Sequence, residues 1–151
     1  MAKHVTETKF LYSATAIMQH FKGRKKVELP LEKAQAATKV LFQVMKAHQT
    51  DYIIIRNCLC CICDFGHGLD WCTESYDSLQ LLTSLIQKHS IEQKRFNIRI
   101  YCLKLINFLS SKDNETKEFM GSCGIIQTLA QLIQEKRNQC KFVNFKGFWM
   151  N

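Results

Sequence analysis

Apolar residues recur along this chain at spacings of three and four, the rhythm of a helix face rather than the alternation of a strand. The pattern predicts a first amphipathic helix over Val5–Phe21, followed by a basic loop, GRKKVELP. Pro30 then opens a helix running to about His48, because a first turn has no use for the N–H that proline lacks. Asp51–Phe65 is the next helix, ended by the turn at Gly66–Gly68. Glu74–His89 and Ile91–Ser111 form a further pair, Asn114–Met120 is a short helix before a break at GSCG, and the last helix runs from Cys123 to about Arg137. The closing NQCKFVNFKGFWMN shows no helical period. With one proline and six glycines in 151 residues, there is little turn material for a many-stranded sheet. The expected fold is all-α.

The apolar pattern also repeats at longer range. SLQLLTSLIQ (Ser78–Gln87) returns 47 residues later as IIQTLAQLIQ (Ile125–Gln134), with Leu82, Leu85 and Ile86 falling on Leu129, Leu132 and Ile133. Stepping back 41 residues, Leu41, Val44 and Met45 of KVLFQVMKAH occupy the same three places, and His48 ends its stretch as His89 ends the later one. A second series interleaves with the first. IIRNCLCCICDF matches IRIYCLKLINFL at an offset of 44, so that Cys58, Leu59 and Ile62 fall on Cys102, Leu103 and Ile106. Paired helices recurring at such a period are the mark of a helical solenoid, in which each unit buries its apolar face only against its neighbours.

The stretch INFLSSKDNETKEFMGSCGIIQTLAQLI (Ile106–Ile133) resembles the junction between armadillo repeats: a leucine-rich third helix, a loop with asparagine, a short first helix, a glycine turn and an apolar second helix. Asn107, Asn114, Gly124, Ile125, Leu129 and Leu132 occupy the matching places. The resemblance covers about residues 31–137 and looks most like the small armadillo-like helical domain-containing proteins. It implies a short armadillo-like α-solenoid of two to three stacked repeats. The segment 66–75 departs from the pattern in lacking an evident first helix. The organisation expected is an N-terminal amphipathic helix with its basic loop (1–30), the armadillo-like domain (31–137) and an aromatic tail (138–151).

Charge adds a constraint on partners. The net +8 is uneven: residues 1–30 carry +4, 90–111 carry +3 and 138–151 carry +2, while the body between is close to neutral. Such an excess attracts acidic partners, and through GRKK (Gly23–Lys26) and the Lys94–Arg95–Arg99 cluster it admits nucleic acid as the alternative partner. Aromatic residues are not interleaved with those charges, as single-strand binding would favour. The first residues, MAKHVTETK, place charges where a signal peptide needs its apolar region, and the longest apolar run is interrupted by Arg56 and Asn57. A reduced, intracellular environment in cytoplasm or nucleus is expected, without a membrane span, and eight cysteines are then free thiols.

Five of those cysteines and a histidine crowd into NCLCCICDFGHGLDWC (Asn57–Cys72). On a helical wheel Cys58 shares its face with Ile55, Ile62 and Phe65, while Cys60 and Cys63 lie roughly 140–200° away beside Arg56. Thiols split between two faces do not converge on one tetrahedral ion. The zinc alternative pairs Cys60 and Cys63 with His67 and Cys72 of the following loop, yet zinc knuckles place such a pair on a turn. The stretch reads as a helix interior, with no metal, no cofactor and no catalytic residue. No Walker loop, no dinucleotide fingerprint and no H-E-x-x-H pattern occurs, so an enzyme is not expected.

The expected function is a non-enzymatic scaffold binding a protein or peptide. Asn97, Ile100, Lys104, Asn107 and Ser111 lie on one stripe of their helix, opposite the apolar side, and the offset of 44 carries it to Arg56, Cys60 and Cys63. By the armadillo resemblance, such third helices line a concave face where an asparagine bonds the backbone of a ligand. Asn107 occupies that place, whereas Cys63 interrupts the ladder one repeat earlier. The residues assign no oligomeric state. The last helix has no following unit to cover Ile125, Ile126, Leu129, Leu132 and Ile133; an irregular fold-back of the tail (Phe142, Val143, Phe145, Phe148, Trp149) is the expected cap, the alternative being a tail that stays exposed and docks a partner or a second copy.

Overall fold

The computed structural model describes residues 7–20, 30–65, 76–89, 96–111 and 114–148; of residues 19, 20, 76, 96, 97, 136 and 138–148 only the backbone is described. Every regular element among them is a helix: α1 Thr8–His20, α2 Leu31–Ala47, α3 Tyr52–Asp64, α4 Tyr76–Lys88, α5 Phe96–Ser110, α6 Asn114–Ser122 and α7 Ile125–Phe148. The protein is an all-α helical-repeat solenoid.

The ends of the helices follow local chemistry. Pro30, with φ of −51°, stands immediately before α2. Asp51 caps α3, its carboxylate accepting from the N–H groups of Ile53 and Ile54 at 3.1 Å each, and Phe65 closes the helix by donating to Cys61 and Ile62. The break between α6 and α7 turns on Gly124, whose φ of +74° is a left-handed conformation that glycine adopts without a Cβ clash. His48 and His89 sit at equivalent C-terminal ends, their N–H groups donating to Val44 and Leu85.

Packing sorts the helices into two layers. In one, α1 lies against α3 and α3 against α5; in the other, α2 backs α3, α4 backs α5, and α7 lies against α4 and α6. The core runs through the stack between the layers, from Leu11 through Leu41, Met45, Ile55, Leu59 and Ile62 to Leu82, Ile86, Cys102 and Leu109, all fully buried. At roughly 1.5–3 kcal/mol for each large apolar side chain removed from water, this core supplies the main force holding the layers together. α1 is part of the stack: Asn57 Nδ2 donates to Thr15 Oγ1 at 3.2 Å in a buried seam, and Tyr12 donates to the Asp51 carboxylate at 2.5 Å.

Two expectations are corrected. The last helix does not stop near Arg137; α7 continues to Phe148. An irregular fold-back of the tail is therefore not what forms over 138–148, because a continuous helix carries its C-terminal half away from the surface of its N-terminal half. The open apolar face of α7 is also divided. Ile125 is buried, Leu129 and Leu132 are half-buried, and Ile126 and Ile133 are 66% and 70% exposed.

Candidate interaction surface

The cysteine-rich helix α3 shows how the surface is divided from the core. Cys58 and Cys61 are buried among apolar residues, while Cys60 and Cys63 are half-buried on the other side. Burial disfavours the thiolate and pushes the Cys58 thiol well above its usual range, with the neighbouring Cys61 thiol adding to it. Cys102, the equivalent residue of α5, is raised for the same reason, with Cys63 contributing. These two thiols are inert packing groups, since reaction requires the thiolate. Among the described residues no three His, Cys, Asp or Glu side chains gather as metal ligands; His67 and Cys72 of the zinc alternative lie outside them.

The opposite side of the α1–α3–α5 layer is exposed. On α3, Arg56 is exposed and Cys60 and Cys63 are half-buried; on α5, Ile100 is half-buried and Lys104, Asn107 and Ser111 are exposed. Asn97 lies on α5, and its side chain is outside the described residues. The two helices pack directly on each other, with Cys63 Sγ 4.0 Å from the Tyr101 carbonyl oxygen, which places the two rows side by side. Lys104 holds its ammonium 5.5 Å from the Tyr101 ring centroid, a cation–π distance. Ile53 and Phe108 add exposed apolar surface on these helices.

At its C-terminal end this face opens into a groove of about 370 Å³ between α5, α6 and α7. Leu103, Ile106 and Asn107 form one wall; Met120, Gly121, Ile126 and Leu129 form the others, and Ser110 and Lys117 supply polar groups. Asn107 thus belongs to both the exposed row and the groove. The contributions of α6 and α7 were missed by sequence reasoning. Gly121 opens the GSCG break and Ile126 follows it, and the signal that could have found them was the exposed isoleucine next to a turn, read there only as an uncapped face.

Not every basic residue faces solvent. Arg99, grouped with Lys94 and Arg95 by sequence, is 5% exposed. Its Nε donates to the Ile86 carbonyl at the end of α4 at 2.8 Å, and Nη1 lies 3.2 Å from Glu135 of α7. It ties three helices together and offers nothing to a phosphate. Lys94, Arg95 and Gly23–Lys26 lie outside the described residues.

A two-layered stack of helices with a polar row and an apolar groove on its surface defines a helical-repeat protein. The domain family described as "Protein zer-1 homolog-like, C-terminal domain" matches residues 1–146, and the chain belongs to that family. The match agrees with the helical-repeat part of the sequence reading, though it does not name the small armadillo-like proteins. No curated protein matches the chain, and no solved structure does. No helix of the described residues is long and apolar enough to cross a membrane.

Proposed function

We propose that this chain is a non-enzymatic protein-interaction module of armadillo-like type, which holds a segment of a protein partner on the exposed face of α3 and α5. The observation that carries this reading is the row formed by Arg56, Cys60, Cys63, Ile100, Lys104, Asn107 and Ser111 on two helices packed side by side. Asn97 extends the row by position alone. The Asn107 amide both donates and accepts, as pairing with an extended peptide backbone requires. The buried thiols Cys58 and Cys102 are not poised as nucleophiles, and membership of a protein-interaction family supports the same reading.

Affinity purification with the intact chain and with an Arg56→Glu/Asn107→Ala double variant tests it. The expected result is a protein partner retained by the wild type, lost from the variant and unaffected by nuclease. Partners that disappear on nuclease treatment, or that bind both forms equally, would overturn the reading.

A further inference from the structure

We infer that the groove between α5, α6 and α7 takes a short, extended, acidic segment of a partner protein, seating two or so apolar side chains with a carboxylate beside Lys117. This rests on the proposed interaction function and names the chemistry of what binds.

The groove is too small for a folded unit. Its volume of about 370 Å³ lies near the lower end of the range for ligand pockets, enough for a few side chains. Its floor is apolar, from Leu103, Ile106, Met120, Ile126 and Leu129, and Gly121 leaves it open because no side chain projects there. Ile126 is among the most exposed large apolar residues described. Covering it removes apolar surface from water, which is the main gain available to an occupant.

Charge selects the occupant. Among the described residues no aspartate or glutamate lines the groove, and the one lining cation among them, Lys117, meets only a neutral partner there, the Asn114 side-chain oxygen at 3.3 Å. Lys104, one turn before Asn107 on α5, is not part of the lining; its ammonium lies over the Tyr101 ring. A second groove, between α2 and α4, makes the contrast. It is of similar size, about 320 Å³, and lined in part by Lys39, Phe42, Lys46 and Leu81, but Lys46 is already bonded to Asp77 at 2.7 Å across it. That groove carries its own counter-charge. Among its described lining residues the α5–α6–α7 groove does not, and a carboxylate from outside supplies it. The Asn107 amide at the wall is placed to pair with an extended backbone rather than with a helix, whose backbone groups are already bonded.

The test is a selection of phage-displayed random decapeptides on the intact chain, followed by anisotropy titration of the enriched peptides made synthetically. Enriched sequences should combine two apolar residues with Asp or Glu. Lys117→Glu should weaken their binding by about tenfold, because it replaces attraction with repulsion at the rim. Ile126→Asp should weaken it further, and both changes lie at exposed positions, so thermal melts of the variants should match the wild type. Three results overturn the inference. Enriched peptides that are basic or uncharged would refute the charge argument. Binding insensitive to Lys117→Glu and Ile126→Asp but abolished by Arg56→Glu would place the peptide on the α3–α5 row, leaving the interaction function standing without this groove. Enrichment of no peptide at all would remove both.

Discussion

The second-layer helices α2, α4 and α7 present the same apolar triplet to three different surroundings. Leu41, Val44 and Met45 of α2 are fully buried, and so are Leu82, Leu85 and Ile86 of α4. At the matching places of α7, Leu129 and Leu132 are half-buried and Ile133 is 70% exposed. The side chains are nearly the same; the neighbours are not. α4 is backed by α5 and flanked by α7, whereas nothing among the described residues stacks beyond α7. In a solenoid the stability of a unit is the sum of its own packing and its interfaces with the next, so identical positions differ in worth by their distance from the end. Beside the packing of Ile125, Leu129 and Leu132, α7 is held by polar ties: Gln87 donates to Thr128 at 3.1 Å, and Arg99 bridges the end of α4 to Glu135.

Substituting equivalent isoleucines gives the largest expected contrast. Ile86→Ala should lower the unfolding free energy by roughly 2–5 kcal/mol, the cost of a core cavity, while Ile133→Ala should change it by less than about 0.5 kcal/mol. Urea unfolding of the two variants measures both. Equal losses would mean that α7 is covered in solution and would break the comparison.

A smaller effect is expected at the tie. Arg99→Ala should cost about 1.5–3 kcal/mol, since it removes a charged, buried donor from the Ile86 carbonyl. Glu135→Ala should cost less than about 1 kcal/mol, because its carboxylate is half exposed and water screens the pair. Hydrogen exchange of the Arg99 variant should accelerate in α7 more than in α3. Uniform acceleration would show that Arg99 holds the whole stack rather than its last helix.

The smallest energetic effect, and the finest test of what faces inward, is thiol reactivity. Alkylation with iodoacetamide at mildly alkaline pH, read by peptide mapping, should label Cys60 and Cys63 well before Cys58 and Cys102. Burial raises the latter two thiols, so their neutral form persists as the pH climbs and their labelling requires the helix to open. Labelling of all four at one rate would mean that α3 is not the covered centre of the stack.

Much of this was legible in the residues themselves. Among the described residues the helical period located six of the seven helices to within a few residues where their ends are described, because apolar spacing is a local property of one helix and its single buried face. The wheel separated Cys58 and Cys61 from Cys60 and Cys63 for the same reason. The length of α7 was not legible: the aromatic tail lacks an amphipathic period, yet its backbone continues the helix.

What tertiary structure alone decided was which neighbours each face meets. Nothing local distinguishes Met45 and Ile86 from Ile133, since their burial depends on whether another helix lies beyond them. Nor could charge patterning tell Arg99 from its basic neighbours. It sits beside them in the chain, but the packing of α4 and α7 against α5 turns it into a buried tie. The groove belongs to the same class. Leu103, Lys117 and Ile126 come from three helices, and only the packing of α5 on α6 and of α6 on α7 brings them around one space. Sequence determines which faces a helix has, because 3.6 residues per turn is a property of its own backbone. Stacking determines what those faces are for, because burial and access to a partner are properties of the helices on either side.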